Sequence, residues 1–261
     1  MLKKLAKSTL GRVYVATGAL EKKIAAQTTI VAFHRVNDVT ADDALTVSAA
    51  KFERFCSFFK THFDVVPLSE QVAAMRVGKP SGGTLSITFD DGYRDNAQVA
   101  APILRSLGLP ATFFVTSGFL QSESVPFWDK DLSPQPGWMT WDEVRDLKSQ
   151  AFDIGCHTHS HLDMGSAPVD QIRDELRQSR AIIEGQIRAP VRLFAYPFGG
   201  RKNITPESRE LVREEGFDCC VSCCGGINEG RLDPFTLNRL PISGWFPTPS
   251  HLVAELVMGK I

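Results

Sequence analysis

Two short stretches of this chain gather side chains that could do acid–base or metal chemistry. In the first, Asp90, Asp91 and Gly92 directly follow residues 84–89, whose apolar side chains suit a buried strand. Adjacent carboxylates repel each other, and a metal ion bound by one of them would relieve the repulsion while the other acts as a base. An acidic turn without chemistry is the alternative, because Asp and Gly are common turn residues.

The second stretch is H-T-H-S-H at residues 157–161, which directly follows a predicted strand. His157 and His161 could each offer an imidazole nitrogen to one ion if the turn between them curls back, and Asp91 would add an oxygen. Two histidines and one carboxylate suit zinc, with nickel or cobalt as other divalent candidates. Exposed histidines in a polar loop are the alternative, but their coincidence with the Asp90–Asp91 pair favours a metal site.

The elements that would position these residues alternate between strands and helices along the chain. We predict one α/β domain of βα units over residues 28–261, with a barrel as the expected architecture. Residues 121–137, rich in Pro, Ser and Asp, are expected to form an inserted loop. The predicted strands cover residues 28–33, 84–89, 111–115, 152–156, 191–195, 217–222 and 235–242. The predicted helices cover residues 48–63, 95–107, 141–149, 169–187, 206–215 and 248–258, with Ser48 and Thr140 as N-caps.

Composition and charge narrow the possible functions. The 261 residues are 43% hydrophobic, and a formal net charge of −1 provides no basic field of the kind that nucleic-acid binding needs.

Residues 1–27 are expected to form a basic leader segment, which could be helical and carries six Lys or Arg side chains and one Glu. No unbroken apolar run typical of a secretory signal follows the first basic residues, so a cytoplasmic location is expected. Residues 1–25 could contact the inner membrane face, whereas a solvated helix or frayed terminus is the alternative.

Four of the six cysteines form a cluster near the end of the chain. Cys219, Cys220, Cys223 and Cys224 have C-x-x-C spacing, which could bind zinc or form a redox pair. No second C-x-x-C or His pair lies at zinc-ribbon spacing. The apolar surroundings favour small side chains buried in a strand.

The two chemical stretches and a third, F-A-Y-P-F-G at residues 194–199, resemble the motifs of the polysaccharide deacetylase family. This family is also called the NodB-homology family or carbohydrate esterase family 4, and the likeness covers about residues 28–243. It implies a distorted (β/α) barrel and metal-dependent removal of an N- or O-linked acyl group from a sugar. On this resemblance Asp90 is the general base, and Asp91, His157 and His161 are the metal ligands.

Two departures from the usual family pattern indicate a particular branch. The third motif usually has Arg two residues before its Pro, where this chain has Ala195, and the usual C-terminal Leu-x-His is replaced by L-N-R at residues 237–239. The sequence F-H-R-V at residues 33–36 instead resembles the circularly permuted branch that includes bacterial poly-N-acetylglucosamine deacetylases. That resemblance implies His34 as the general acid, with a structural histidine at a strand end as the alternative. Arg239 is expected to take the orienting role lost at Ala195.

A groove for the sugar is expected beside these motifs. Its predicted substrate contacts are Tyr196, Pro197, Phe198, Arg239 and Trp245, although buried packing would explain the aromatic residues equally well. A backbone N–H of residues 196–199 is expected to stabilise the oxyanion of the reaction.

The expected function is removal of an N-acetyl group from an amino-sugar unit of a glycan or of a lipid-linked precursor, by a metal-dependent hydrolase. Deformylation or O-deacetylation of a modified lipid-linked sugar would use the same site and stays open. A non-catalytic carbohydrate-binding protein on the same scaffold is the alternative from another class. The presence of Asp90 disfavours it, because a binding module has no use for a base.

Overall fold

A computed structural model describes residues 2–79, 82–230, 232–244 and 246–258, with side chains from residue 6 onwards. Strands and helices alternate through these residues. The strands are β1 (Gln27–Phe33), β2 (Arg35–Val36), β3 (Thr46–Val47), β4 (Asp64–Val65), β5 (Thr84–Phe89), β6 (Thr112–Val115), β7 (Asp153–Cys156), β8 (Leu193–Ala195), β9 (Cys219–Val221), β10 (Asn228–Glu229) and β11 (Leu240–Pro241). The helices are α1 (Leu2–Ala16), α2 (Ala19–Ile24), α3 (Ala49–His62), α4 (Leu68–Arg76), α5 (Ala101–Leu107), α6 (Trp141–Ser149), α7 (Val169–Ile187), α8 (Pro206–Glu214) and α9 (Pro249–Met258).

The main sheet consists of parallel strands in the order β1-β5-β6-β7-β8-β9. Residues 237–241 lie against both ends of this sheet, because Leu237 bridges Val221 of β9 and Leu240 of β11 pairs with Val31 of β1. Strand β10 pairs with the start of β1 in the antiparallel direction, so the sheet is mixed at this edge. The sheet therefore curls into an incomplete barrel with helices around it, which confirms the predicted α/β class.

Strand β5, which leads into the two carboxylates, and its neighbours β1 and β6 are buried along almost their whole length. Phe33, Phe89 and Phe113, from β1, β5 and β6, stack in series with ring centroids 5.6 and 4.8 Å apart. Phe52 of α3 meets the Phe33 ring edge-on at 5.0 Å. Truncating one buried Phe of this kind to Ala typically costs about 3–5 kcal/mol. The stack therefore fixes the strand ends from which the site residues project.

Most predicted helices are confirmed, and their caps explain where they begin. The Ser48 hydroxyl accepts a hydrogen bond from the Lys51 N–H at the start of α3. Thr140 and Glu143 form the expected capping box of α6. Helix α7 has the predicted bounds, 169–187.

Two predicted elements differ from the structure. The helix predicted over residues 95–107 begins as a π-helical turn, Asn96–Ala100, whose first side chain donates a hydrogen bond to the His34 carbonyl. Such π-helical turns are rare and occur frequently at functional sites. The strand predicted over residues 235–242 is a 3₁₀ turn, Pro234–Thr236, and the two-residue β11, because Pro241 has no N–H with which to continue a ladder.

Helices α1 and α9 pack together. A Cβ at Gly11 of α1 would lie 1.9 Å from the Ser250 carbonyl oxygen of α9, so this close approach requires glycine. Lys7 forms an ion pair with Glu255 beside this contact. Across the described residues, no helix is both long enough and apolar enough to cross a membrane.

Candidate metal and catalytic site

The two adjacent carboxylates lie where β5 ends, at the carboxyl edge of the sheet. The Asp90 N–H donates to the Phe33 carbonyl of the neighbouring strand at 3.0 Å, which continues the ladder into the site. Asp91 then adopts φ of +73°, a left-handed conformation uncommon in residues with a Cβ. After this reversal the Asp90 carboxylate faces an arginine, and the Asp91 carboxylate faces two histidines.

His157 directly follows β7, and a backbone carbonyl sets the direction of its ring. Its Nδ1 lies 2.8 Å from the Ala195 carbonyl oxygen, which can only accept a hydrogen bond. In the neutral imidazole the hydrogen therefore sits on Nδ1, and the Nε2 lone pair faces Asp91 Oδ1 at 3.3 Å. Two electron-rich atoms at this distance require positive charge between them, a proton or a metal ion.

His161 reaches the same carboxylate oxygen because a buried acid of α7 holds the turn that precedes it. The Glu175 carboxylate accepts hydrogen bonds from the N–H groups of His159 and Ser160, each at 2.8 Å, and from the Ser160 hydroxyl at 2.6 Å. Thr158 and His161 adopt φ of +62° and +60°, so the turn doubles back. It places His161 Nε2 at 3.3 Å from the carboxylate oxygen.

Asp91, His157 and His161 together form a three-ligand site. One ligand atom from each lies within 4.8 Å of the others, and the buried Asp91 Oδ1 has no donor with hydrogen-bond geometry among the described residues. Burial would raise the pKa of Asp91, but the two imidazoles hold it well below its ordinary value. Burial would lower the pKa of His157, but the carboxylates of Asp90 and Asp91 outweigh burial and raise it. The site therefore attracts positive charge, and its two nitrogens and one oxygen suit a divalent ion such as zinc.

Asp90 is held by Arg239, which is fully buried behind it. The guanidinium donates to Asp90 Oδ1 at 2.7 Å and to Oδ2 at 2.6 Å, which makes a bidentate pair. Its other N–H groups donate to Thr88 Oγ1, to the Ser222 carbonyl and to Cys223 Sγ, at 3.0, 2.9 and 3.3 Å. Burial would raise the pKa of Asp90, but the Arg239 charge lowers it below its ordinary value. The Asp90 carboxylate is therefore ionised at neutral pH and fixed in direction.

His34 approaches Asp90 from the end of β1. Its Nε2 lies 3.9 Å from Asp90 Oδ2, and 18% of its side chain is exposed. The His34 carbonyl accepts a hydrogen bond from the Asn96 side chain at 2.7 Å, and Asn96 also donates to Asp95 at 2.8 Å. Burial lowers the pKa of His34, and the charges of Asp91 and Asp90 offset this only in part. The imidazole is therefore neutral at neutral pH.

Aromatic side chains line the opening beside His161. Phe198, which adopts φ of +60° and is 42% exposed, meets the imidazole edge-on with ring centroids 4.6 Å apart. The Trp128 ring lies 4.7 Å from the same imidazole, and the exposed Phe127 ring lies 6.5 Å from that of Phe198. With Phe119 these residues line a surface cavity of about 320 Å³, which suits the apolar face of a sugar ring.

Residues 121–137 form the loop that the sequence predicts, but the sequence does not indicate that Trp128 of this loop lies beside His161. Trp128 Nε1 donates to the Tyr93 hydroxyl at 2.9 Å, and that hydroxyl donates to Asp129 at 2.7 Å. The buried Arg35 pairs with the other Asp129 oxygen. Trp128 is thus anchored by residues distant in sequence, and no local pattern indicates the contact. The roles of Glu175 and Asn96 were missed for the same reason.

Among the predicted sugar contacts whose structure is described, Phe198 is exposed and the others are buried. Tyr196 is 2% exposed and packs against Phe194, and Pro197 is also buried. Arg239 is fully buried behind Asp90, so a direct contact of Tyr196 or Arg239 with substrate does not fit their burial. Trp245 lies outside the described residues.

The cysteine cluster divides at the end of β9. Cys219 and Cys220 are buried strand residues, as predicted, and burial raises the pKa of the Cys220 thiol to about 12. Cys223 lies beside the guanidinium of Arg239. The metal-ligand groups found among the described residues contain no cysteine.

Comparisons with known proteins agree with this geometry. A family model described as polysaccharide deacetylase matches residues 77–219, more than half of the chain. The YxkH protein of Bacillus subtilis (strain 168) is 21% identical over 209 residues, which cover 79% of this chain and 69% of that protein. The poly-beta-1,6-N-acetyl-D-glucosamine N-deacetylase of Escherichia coli O157:H7 is 28% identical over 239 residues, which cover 78% of this chain. The chain spans only 35% of that longer relative.

A solved structure shows the same fold. The Streptococcus pyogenes deacetylase PplD in complex with acetate superposes with a TM-score of 0.74 at 21% identity, over 87% of this chain and 96% of that one. The family match includes Asp90, Asp91 and both histidines of the three-ligand site, whereas His34 and Arg239 lie outside it. With its fold, its motifs and its matched residues in agreement, the chain is an enzyme of the polysaccharide deacetylase family.

Proposed function

We propose that this protein removes the N-acetyl group from an amino-sugar unit of a glycan or glycan precursor, with zinc as its metal ion. The observation that supports this most directly is the set Asp91, His157 and His161 beside an ionised, arginine-held Asp90. The name of the Escherichia coli relative, an N-deacetylase of a poly-N-acetylglucosamine, favours an amide over an ester as the bond that is cleaved. Asp91 and the two histidines would hold the ion, which when bound supplies polarisation of the acyl carbonyl and acidification of water.

Asp90 is the group that removes the proton from the attacking water. A general base must be ionised when substrate binds, and the Arg239 pair secures this across the neutral pH range. Because both carboxylate oxygens are held, Asp90 presents one direction for proton transfer and loses little freedom during the reaction.

His34 is the proposed general acid for the leaving amine. Its neutral resting state means that it needs a proton before it can donate one, and Asp90 Oδ2 is 3.9 Å from its Nε2. A shift of about 1 Å would bring the two atoms to hydrogen-bond distance. The proton that Asp90 takes from water would then pass to His34 Nε2 and on to the amine nitrogen as the carbon–nitrogen bond breaks.

One backbone N–H of the loop 196–199 is available for the oxyanion. The Tyr196 N–H donates to Val221 and the Gly199 N–H donates to the Pro197 carbonyl, while Pro197 has none. The Phe198 N–H is the remaining donor of this loop, and its residue lies against His161. We therefore assign the oxyanion contact to Phe198.

The test is product release from a panel of free and lipid-linked N-acetylated glycans by the zinc-loaded protein. Asp90→Asn should lower the rate of acetate release by about 10²–10⁴-fold with zinc content unchanged, since a lost general base typically has that effect. His34→Ala should slow amide hydrolysis strongly but spare an activated aryl acetate, whose leaving group needs no proton. Asp64→Asn is the control and should keep full activity, because Asp64 is an exposed residue of β4 that pairs with the start of β5, away from the site.

Each result bears on a separate part of the proposal. Full activity of Asp90→Asn, or of the protein after chelation and dialysis, would contradict the mechanism. Equal loss on amide and aryl acetate in His34→Ala would remove the acid role. Release of formate, or of acetate only from O-acetylated sugars, would instead support the deformylase or O-deacetylase alternative, which uses the same residues.

A further inference from the structure

A second cavity lies behind the loop 196–199, apart from the catalytic carboxylates. Ser222 and Cys224 line it, whereas Cys223 between them contacts Arg239, so this segment separates the cavity from Asp90. Its volume is about 150 Å³. That is less than half the volume of the cavity beside His161 and leaves room for a small ion.

The cavity carries positive charge that no nearby carboxylate neutralises. Arg201 and Arg209 both line it, and within the described ranges neither has an acidic side chain at ion-pair distance. Among the described residues no acidic side chain lines the cavity, and Glu210 and Asp233, which are close to it in sequence, both pair with Arg213.

Two buried donors at the cavity lack acceptors. The Tyr196 hydroxyl belongs to a side chain that is 2% exposed, and within the described residues it has no hydrogen-bond partner. The buried Nε of Arg209 has none either. Ser208 and Cys220 are the polar groups closest to the hydroxyl, but neither has hydrogen-bond geometry with it, and they donate their own hydrogens to Thr205 and Phe235, at 3.1 and 3.0 Å. Buried donors without acceptors are rare and unfavourable, so they indicate an acceptor that binds here.

We infer that this cavity is a binding site for a phosphate-sized oxyanion, either free phosphate or the terminal phosphoryl group of a small ester. Arg201 and Arg209 would supply the charge, and the Tyr196 hydroxyl would donate to one oxygen of the ion. Guanidinium groups match the geometry of phosphate oxygens, which favours this class of ligand over a carboxylic acid. The site goes beyond the deacetylase reaction, and it is coupled to it through Tyr196, the first residue of the loop that ends in Phe198 and Gly199.

The experiment follows thermal unfolding of the full chain during a phosphate titration, with NaCl adjusted to keep the ionic strength constant. A ligand that binds the folded state raises the melting temperature in a saturable way, which yields an apparent Kd. Tyr196→Phe and Arg209→Gln should each raise that Kd about tenfold, the effect of losing one charge-assisted hydrogen bond. Lys202→Gln is the matched control, because it removes a neighbouring exposed charge that does not line the cavity.

The outcomes separate the site from other effects of phosphate. No saturable stabilisation at constant ionic strength would overturn the inference, as would equal stabilisation of the wild type and both cavity variants. Phosphate bound at the metal-ligand residues would stabilise the wild type and both variants equally, because neither substitution changes a metal ligand. That source of stabilisation is therefore distinguished from binding in the cavity. Methyl phosphate in place of phosphate distinguishes the two sources: similar stabilisation indicates a site for a terminal phosphoryl group, and stabilisation by phosphate alone indicates the free ion.

Discussion

At the scale of single residues, the central interaction is between Asp90 and Arg239, a fully buried cation. Each of the five N–H groups of Arg239 has an acceptor, and two of these acceptors are the Asp90 oxygens. A buried carboxylate without this partner would tend to take up a proton and could no longer act as a base. Arg239 therefore supports the chemistry by fixing both the charge and the direction of Asp90.

Arg239→Gln should lower the free energy of unfolding by about 3–5 kcal/mol, because it leaves Asp90 buried without its counter-charge. Adding Asp90→Asn should restore part of that loss, and urea denaturation of the single and double variants measures the difference. Since the pKa of Asp90 is lowered, its stabilisation is present at neutral pH and is lost as the pH falls below the ordinary carboxyl range of about 4. A double variant no more stable than Arg239→Gln alone would contradict this account.

At the scale of elements, the metal-ligand turn depends on a helix that contributes no ligand. Glu175 of α7 accepts hydrogen bonds from two backbone N–H groups and one hydroxyl of the turn, while Ser179 donates to the Thr158 carbonyl at 2.9 Å. These contacts hold residues 157–161 in a conformation that their own sequence does not favour. The position of His161 is therefore set from outside the motif.

Glu175→Ala should weaken zinc binding by about 10–100-fold, the usual effect of losing a group that orients metal ligands. Competition with a chromophoric zinc chelator measures the affinity directly, without any substrate. Asp174→Asn, an exposed acid one residue earlier on α7, is the matched control for the change in charge. Unaltered zinc affinity in Glu175→Ala would show that the turn keeps its shape without the anchor.

Much of the site could be predicted from sequence because its chemistry lies in contiguous motifs. The strand before Asp90 and the histidines of residues 157–161 can be recognised from local sequence patterns. Helix caps such as Thr140 indicate where elements begin. Long-range contacts were not predictable: Asn96 holds His34 from 62 residues away, and Trp128 is anchored through Tyr93. The burial of a loop residue cannot be read from local sequence either. For that reason the sequence analysis places Tyr196 beside the sugar, whereas the structure shows it buried.

At the scale of the whole molecule, the basic segment at the N-terminus belongs to the folded body. Helix α1 packs against α9 through Gly11, and Lys7 pairs with Glu255. Arg12, Lys22 and Lys23 stay exposed on this side, so contact of residues 1–25 with an anionic membrane remains a prediction. Flotation with anionic vesicles, compared between the wild type and a variant with these three residues changed to Gln, checks it; equal recovery would count against it.

Gly11→Ala should destabilise the fold by about 1–3 kcal/mol, because the added methyl group has no room beside the Ser250 carbonyl. In a chain of this size that corresponds to a fall of several degrees in Tm, measured by thermal unfolding. Gly185→Ala is the matched control: it lies exposed in α7 with no atom near its Cβ position, and should stabilise by about 0.5–1 kcal/mol. If both substitutions raise Tm, α1 does not pack on α9 in solution.

The left-handed residues of the site have a consequence for evolution and engineering. Four residues of the site have positive φ: Asp91, Thr158, His161 and Phe198. Glycine or asparagine would adopt this backbone conformation with less strain. A library screened only for thermal stability should therefore drift toward Gly or Asn at such positions, and the drift at Asp91 and His161 would remove the metal ligands. Selection for thermal stability would therefore favour Gly or Asn at Asp91 and His161, whereas selection for catalytic activity would keep the metal ligands.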